Sequence, residues 1–189
     1  MPTDSVVATR YYFGHVISGR AAEYYASLNA DLAQRFGVKN LAETQPPHFT
    51  LRPPFEVDSI ADVVDEYVES LASGCQPLPF SLEGFGSFPL TKEGITIFLK
   101  VVPNKSLQKC VNYLAIRLAE FGDDVRPAPL PIKLHVSVAR YLAPKQWIDI
   151  LAYLTNLPKP RFDLEFDHVA LMAKSGGRWE LKKKYHFAS

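Results

Sequence analysis

Apolar positions along this chain change period repeatedly, between about 2 and about 3.6 residues, and each change marks a predicted element. The run Val6 to Ile17, with Tyr11, Tyr12 and Phe13, is aromatic and β-branched and predicts a strand. Ala21, Tyr25, Leu28, Leu32 and Phe36 then recur at helical spacing until Gly37 stops them. A loop holding Pro46 and Pro47 leads into an extended segment, His48 to Phe55. Ile60, Val63, Val64, Tyr67, Val68 and Leu71 form a second helical stripe, starting at Asp58 or Ser59 and stopped by Gly74. Leu78 to Phe88 reads as a strand.

The same order then begins again. Gly94 to Val102 alternates as a strand, and Leu107, Cys110, Val111, Leu114 and Leu118 form a helical stripe ending at Gly122. A loop with Pro127, Pro129 and Pro131 leads into a strand over Ile132 to Ala139. Trp147, Ile150, Leu151 and Leu154 mark a fourth helix, entered through Pro144. Arg161 to Ala173 is predicted as one strand, and Gly176-Gly177 turns it into a hairpin partner over Arg178 to Phe187. Strand, helix, strand, helix, strand is thus played twice, with one strand added at the end. His48 lies 42 residues after Val6, and His135 lies 41 residues after Gly94. That matched spacing predicts a duplication, with repeats over about 6–88 and 94–187, packed as two lobes of one domain (1–189) around a shared cleft.

Composition narrows the classes. With 47% apolar residues the 189-residue chain can bury a real core. A formal net charge of +1 supplies no global field toward nucleic acid or membrane, so any polyanion contact must be local. Cys75 and Cys110 make neither a disulfide framework nor a zinc site and read as two free thiols. Met1 to Arg10 does not read as a signal peptide, and no apolar run approaches the ~20 residues of a membrane helix. These features predict a soluble, cytoplasmic protein.

The chemistry lies in two short segments, Pro47-His48-Phe49-Thr50-Leu51-Arg52 and Leu134-His135-Val136-Ser137-Val138. Successive side chains of a strand point to opposite faces. His48, Thr50 and Arg52 therefore share one face, with Phe49 and Leu51 on the other. His135 and Ser137 share a face too, together with Lys133. The apolar faces bury against helices, whereas a face of imidazole and hydroxyl calls for a wet, functional surface. Cleavage of a phosphodiester needs a base for the nucleophile and an acid for the leaving oxygen, and histidine serves as either near neutral pH. Thr50 and Ser137 can donate to non-bridging oxygens, each contributing roughly 10²-fold or more in rate. A metal centre competes poorly, because zinc takes three or four ligands and neither segment supplies a second at short spacing.

The pair His48-Phe49-Thr50-Leu51 and His135-Val136-Ser137-Val138 resembles the signature of the two-histidine phosphoesterase superfamily, which includes 2′-5′ RNA ligase-like proteins and RNA cyclic phosphodiesterases. Pro46-Pro47-His48-Phe49-Thr50-Leu51-Arg52 and Gly176-Gly177-Arg178-Trp179-Glu180 look closest to a bacterial branch of phosphoesterase-like proteins. Ser137 departs from the usual threonine but keeps the hydroxyl, and Arg52-Pro53-Pro54 departs from the better-studied RNA enzymes. The resemblance implies an α+β fold of two pseudo-symmetric lobes, each an antiparallel sheet with two outer helices, around a central cleft. It implies hydrolysis of a 2′,3′-cyclic phosphate on RNA ends or nucleotides to a 2′-phosphate, with no metal or organic cofactor. His48 would be the acid and His135 the base. The partner is then a small cyclic phosphodiester or an RNA terminus, with no membrane and no obligate protein partner. The rivals are a 2′-5′ RNA ligase or nuclease on longer RNA and a non-catalytic nucleotide-binding module, which would need no acid/base pair.

Around this core set, Arg52 and Lys133 are candidate phosphate contacts. His15, His168 and His186 lack a hydroxyl two residues on and read as structural or surface residues, His15 retaining a place on the cleft as its alternative. Lys182-Lys183-Lys184 reads as a solvated strand end. Tyr11, Tyr12 and Phe13 read as core, and one of them, or Phe85 or Phe88, is a candidate base-stacking ring.

Overall fold

The computed structural model of the chain describes residues 9–57, 62–121 and 129–188. Within them the chain forms β1 (Thr9–Val16), α1 (Gly19–Phe36), β2 (His48–Val57), α2 (Asp62–Ser73), β3 (Leu78–Ser87), β4 (Ile95–Val102), α3 (Lys105–Leu118), β5 (His135–Leu142), α4 (Pro144–Thr155), β6 (Arg161–Phe166), β7 (His168–Ser175) and β8 (Arg178–His186). A short 3₁₀ turn, Leu41–Glu43, follows α1. The expected start of the second helix at Asp58 or Ser59, the beginning of the first strand at Val6, Gly122 and Pro127 all lie outside the described residues.

The helices end where local chemistry directs. Gly37 adopts the left-handed conformation (φ 64°) and its N–H donates to the Ala33 carbonyl at 3.0 Å. Asn104 caps α3, accepting from the Leu107 N–H at 2.8 Å while its Nδ2 donates to the Pro79 carbonyl of β3 at 3.0 Å. Gly176 and Gly177 both carry positive φ in the β7–β8 hairpin.

The strands form two antiparallel four-stranded sheets, ordered β2-β1-β7-β8 and β5-β4-β3-β6. The two sheets do not follow the two halves of the chain. Each half keeps its first two strands together, and later strands cross over: β3 joins the sheet of β4 and β5, where β6 also stays, while β7 and β8 join the sheet of β1 and β2. The stretch from Arg161 to Ala173 is therefore not one strand. Its first part, β6, pairs with β3; its second, β7, pairs with β1; Asp167 alone separates them. The burial pattern agrees, since β6 alternates as a sheet edge while β7 is almost continuously buried. β5 begins later and runs further than the apolar pattern predicts.

Helices α1 and α4 pack on the sheet of β4 and β5, α2 packs on β7 and β8, and α3 touches both β2 and β3. One core runs through both lobes, joining Phe13, Phe49 and Leu51 to Phe80, Leu99, Val136 and Phe166. Among the described residues no helix is long and apolar enough to cross a membrane.

Candidate active site

The motif strands β2 and β5 are the outer edges of their sheets and meet across the cleft. Each carries its histidine at its first residue, where the chain enters from a proline-containing loop. One pocket is lined by His48, Thr50, His135 and Ser137 together with Tyr25, Gln45 and Arg140. The fold thus gathers the four residues expected to carry chemistry, and adds three that the sequence reading did not single out.

The two imidazoles are oriented by the same device. His48 Nδ1–H donates to the Pro46 carbonyl and His135 Nδ1–H donates to the Lys133 carbonyl, each at 2.8 Å. A carbonyl only accepts, so the proton of the neutral ring sits on Nδ1 and the Nε2 lone pair is left for chemistry. Tyr12 packs on His48 with ring centroids 4.8 Å apart. Phe88 meets His135 edge-on at 4.7 Å, and Phe98 lies at 5.4 Å. Burial pushes the His48 imidazole down to about 4, opposed by its bond to Pro46 and reinforced by the charges of Arg140 and His135. Burial lowers His135 as well, again helped by Arg140. Both rings are therefore neutral at pH 7. Burial raises Tyr25, on α1, to about 12, partly offset by a hydrogen bond from Gln45, so it stays a neutral phenol.

A β-bulge in each motif strand decides the remaining residues. In β2, Thr50 pairs with Gly14 but Arg52 pairs with Phe13, so one position is skipped. Arg52 is thereby turned off the catalytic face, contrary to strict alternation. It is 5% exposed, donates to the Phe121 carbonyl at 3.1 Å and lies 5.3 Å over the Phe55 ring. In β5, Ser137 pairs with Phe98 and Ala139 with Ile97, which again skips one position. There the skip brings Arg140 onto the face of His135 and Ser137. The signal that could have found it is a cation three residues past the second hydroxyl, visible once a bulge is allowed.

Lys133 is exposed and precedes β5. Its side chain borders a second, largely apolar cavity of about 500 Å³, lined also by Thr50, Pro53, Phe88, Leu130, Ile132 and His135. Tyr12 faces the motif histidine rather than the main core, whereas Phe13 lies in that core. His15 does not line the cleft. It pairs with Phe49, packs against Phe49, Phe80 and Phe166, and donates from Nδ1 to the His168 carbonyl at 3.2 Å. His168 lies against it, with Nδ1 on Asp167 at 2.5 Å and Nε2 accepting from Val16 N–H at 3.4 Å. His15, Asp167 and His168 place potential ligand atoms within 4.8 Å of one another, but both nitrogens of His168 are already engaged, and the group works as a pin between β1 and the β6–β7 crossover. His186 is exposed at the end of β8. Lys182 pairs with Glu180, and Lys183 pairs with Asp65 and Glu69, so the lysine run is divided among separate partners.

Two edge strands, each presenting a histidine and a hydroxyl to one pocket, are the arrangement of a two-histidine phosphoesterase. The family model of the 2′-5′ RNA ligase superfamily matches residues 21–178, and the chain belongs to that superfamily. A protein of Geobacillus sp. (strain WCH70) named "Putative phosphoesterase" is 26% identical over 143 residues, covering 74% of this chain and 78% of that one. A Bacillus licheniformis protein of the same designation is 32% identical over 111 residues, 58% of this chain and 61% of that one. Among solved structures, TT0787 of Thermus thermophilus superposes with a TM-score of 0.59 at 17% identity, covering 94% of this chain and 97% of that one. E. coli LigT complexed with 3′-AMP superposes with a TM-score of 0.56 at 15% identity, covering 97% and 100%. These last two show that the fold is shared. Membership of the superfamily supports a phosphoesterase activity.

Proposed function

We propose that the chain hydrolyses a 2′,3′-cyclic phosphate, on a nucleotide or an RNA end, to a 2′-phosphate by acid/base catalysis between His48 and His135. The observation that carries this reading is the single pocket lined by both imidazoles, both hydroxyls and Arg140. With Nδ1 tied to a carbonyl, each ring works through Nε2. Water attacks phosphorus and gives its proton to His135 Nε2; the bond from phosphorus to the 3′-oxygen breaks, and His48 Nε2 protonates that oxygen. Thr50, Ser137 and the Arg140 guanidinium receive the charge that develops on the non-bridging oxygens. The apolar cavity beside Thr50 and His135 suits the nucleoside, with Phe88 as its ring and Lys133 at its rim. LigT has been solved with 3′-AMP and with NADP⁺, which supports a nucleotide-sized occupant here.

The alternative is a 2′-5′ ligase or nuclease acting on longer RNA. The net charge of +1 favours the small substrate. A panel of 2′,3′-cyclic nucleotides, assayed with and without excess EDTA, tests the proposal. Turnover to the 2′-phosphate that survives EDTA is expected. No turnover of any cyclic nucleotide, or turnover that stops with EDTA and returns with a divalent ion, would overturn it.

A further inference from the structure

Away from the cleft, the fold brings together two thiols that lie 35 positions apart. Cys75 follows the turn that ends α2 and is 8% exposed. Its backbone is fixed on both sides: its N–H donates to the Ala72 carbonyl at 2.9 Å, and its own carbonyl accepts from the Ala188 N–H at 3.0 Å. Cys110 is half-buried on α3, beside the fully buried Val111 and Leu114. The Cys110 thiol points at Cys75 Sγ across 3.8 Å, and the Cys75 thiol points at the Leu71 carbonyl across 3.4 Å. The two sulfurs are therefore in contact, and a disulfide of about 2.05 Å needs roughly 1.8 Å of further approach.

We propose that Cys75 and Cys110 are a modification site that closes to an intramolecular disulfide on exposure to a peroxide. The hydrogen bond from Cys110 holds the Cys75 thiol low and its own thiol high, so Cys75 ionises first. The Cys75 thiolate attacks the peroxide oxygen; a sulfur–oxygen bond forms, the oxygen–oxygen bond breaks, and the departing hydroxide takes a proton to become water. The Cys110 sulfur then attacks the Cys75 sulfenic acid. The sulfur–sulfur bond forms, and the hydroxyl leaves as water with the Cys110 proton. Two electrons pass from the thiol pair to one peroxide. The new bond ties the α2–β3 junction to α3, two segments that pack on different strands of the molecule. Closing that long loop removes freedom from the unfolded chain and raises resistance to unfolding.

The test treats the full chain with a few equivalents of hydrogen peroxide and reads intact mass without reductant, with peptide mapping. The expected product is a monomer lighter by about 2 Da, two hydrogen atoms, in which the Cys75 and Cys110 peptides are joined. Its thermal midpoint rises, and dithiothreitol reverses both changes. Cys75→Ser and Cys110→Ser, shown folded by circular dichroism, each abolish the mass loss and the shift. Oxygen gained separately at the two sulfurs, a covalent dimer, or an unchanged mass overturns the proposal. Peptide mapping of the unsubstituted chain decides the matter even where a serine variant fails to fold.

Discussion

His48 and His135 are each held by a carbonyl two residues upstream and packed on an aromatic ring, so their chemistry depends on how far the pocket resists a second proton. Burial and the Arg140 cation both lower the imidazoles. The hydrolysis proposed above needs one ring neutral and one protonated. Both limbs of the kcat/KM profile therefore fall below the ordinary histidine value of 6.5, and kcat/KM rises as the pH drops from 7 before falling again toward 4. A bound phosphate favours imidazolium, so the kcat profile sits at higher pH. A pH series checks this, and a kcat/KM optimum at or above pH 7 contradicts it. Arg140→Gln removes a cation, so both limbs move to higher pH and kcat/KM drops by about 10²-fold. Thr50→Ala and Ser137→Ala are expected to lower kcat by roughly 10- to 10³-fold with the fold intact, as steady-state kinetics would show. A substrate with a better leaving group rescues His48→Ala more than His135→Ala if His48 is the acid, and equal rescue removes that assignment.

At the scale of the element, helices and caps follow local rules. Gly37 and Asn104 sit where a left-handed residue and an N-cap are required. Asn104 also reaches the Pro79 carbonyl, joining α3 to β3. Asn104→Ala is therefore expected to lower stability by about 1–2 kcal/mol without altering kcat, measured by urea unfolding. Strand parity is legible as far as the first irregularity. It places His48 with Thr50 and His135 with Ser137 correctly, because no bulge intervenes between them. Beyond the hydroxyl it fails in both strands, turning Arg52 inward and bringing Arg140 to the pocket. A bulge depends on the partner strand's register, which the strand's own apolar pattern does not encode.

Across the whole molecule, the buried pair His15 and His168 beside Asp167 joins β1 to the β6–β7 crossover, and the His15 ring packs on Phe80 and Phe166 of the other sheet. Burial, and the neighbouring His168, push His15 down to about 3. An unfolded chain binds a proton there near pH 6.5 and the folded one does not, so stability is full above 6.5 and is lost as the pH falls toward 3. Between pH 7 and pH 4.5 this single ring accounts for ~2–3 kcal/mol. His48 and His168, also lowered, act with the same sign. His15→Phe keeps a ring among Phe49, Phe80 and Phe166 and removes the titration. Its unfolding free energy should vary less with pH over that window, and an unchanged slope would show that His15 is not the group responsible.

The sequence by itself determined the order of elements up to the fourth helix, the repeat in spacing and the two histidine–hydroxyl pairs, because each follows from a periodicity or a cap within a few residues of chain. Tertiary structure alone decided how those pieces are shared between lobes. It divides the apolar run around Asp167 between two sheets, since pairing partners and not local propensity assign a strand. It brings Tyr25 from α1 and Arg140 from a bulged edge into one pocket with the histidines. It sets Cys75 against Cys110, which nothing in their spacing announces. Contacts between residues far apart in the chain are fixed by packing and register, and these become definite only when both lobes close on their common core.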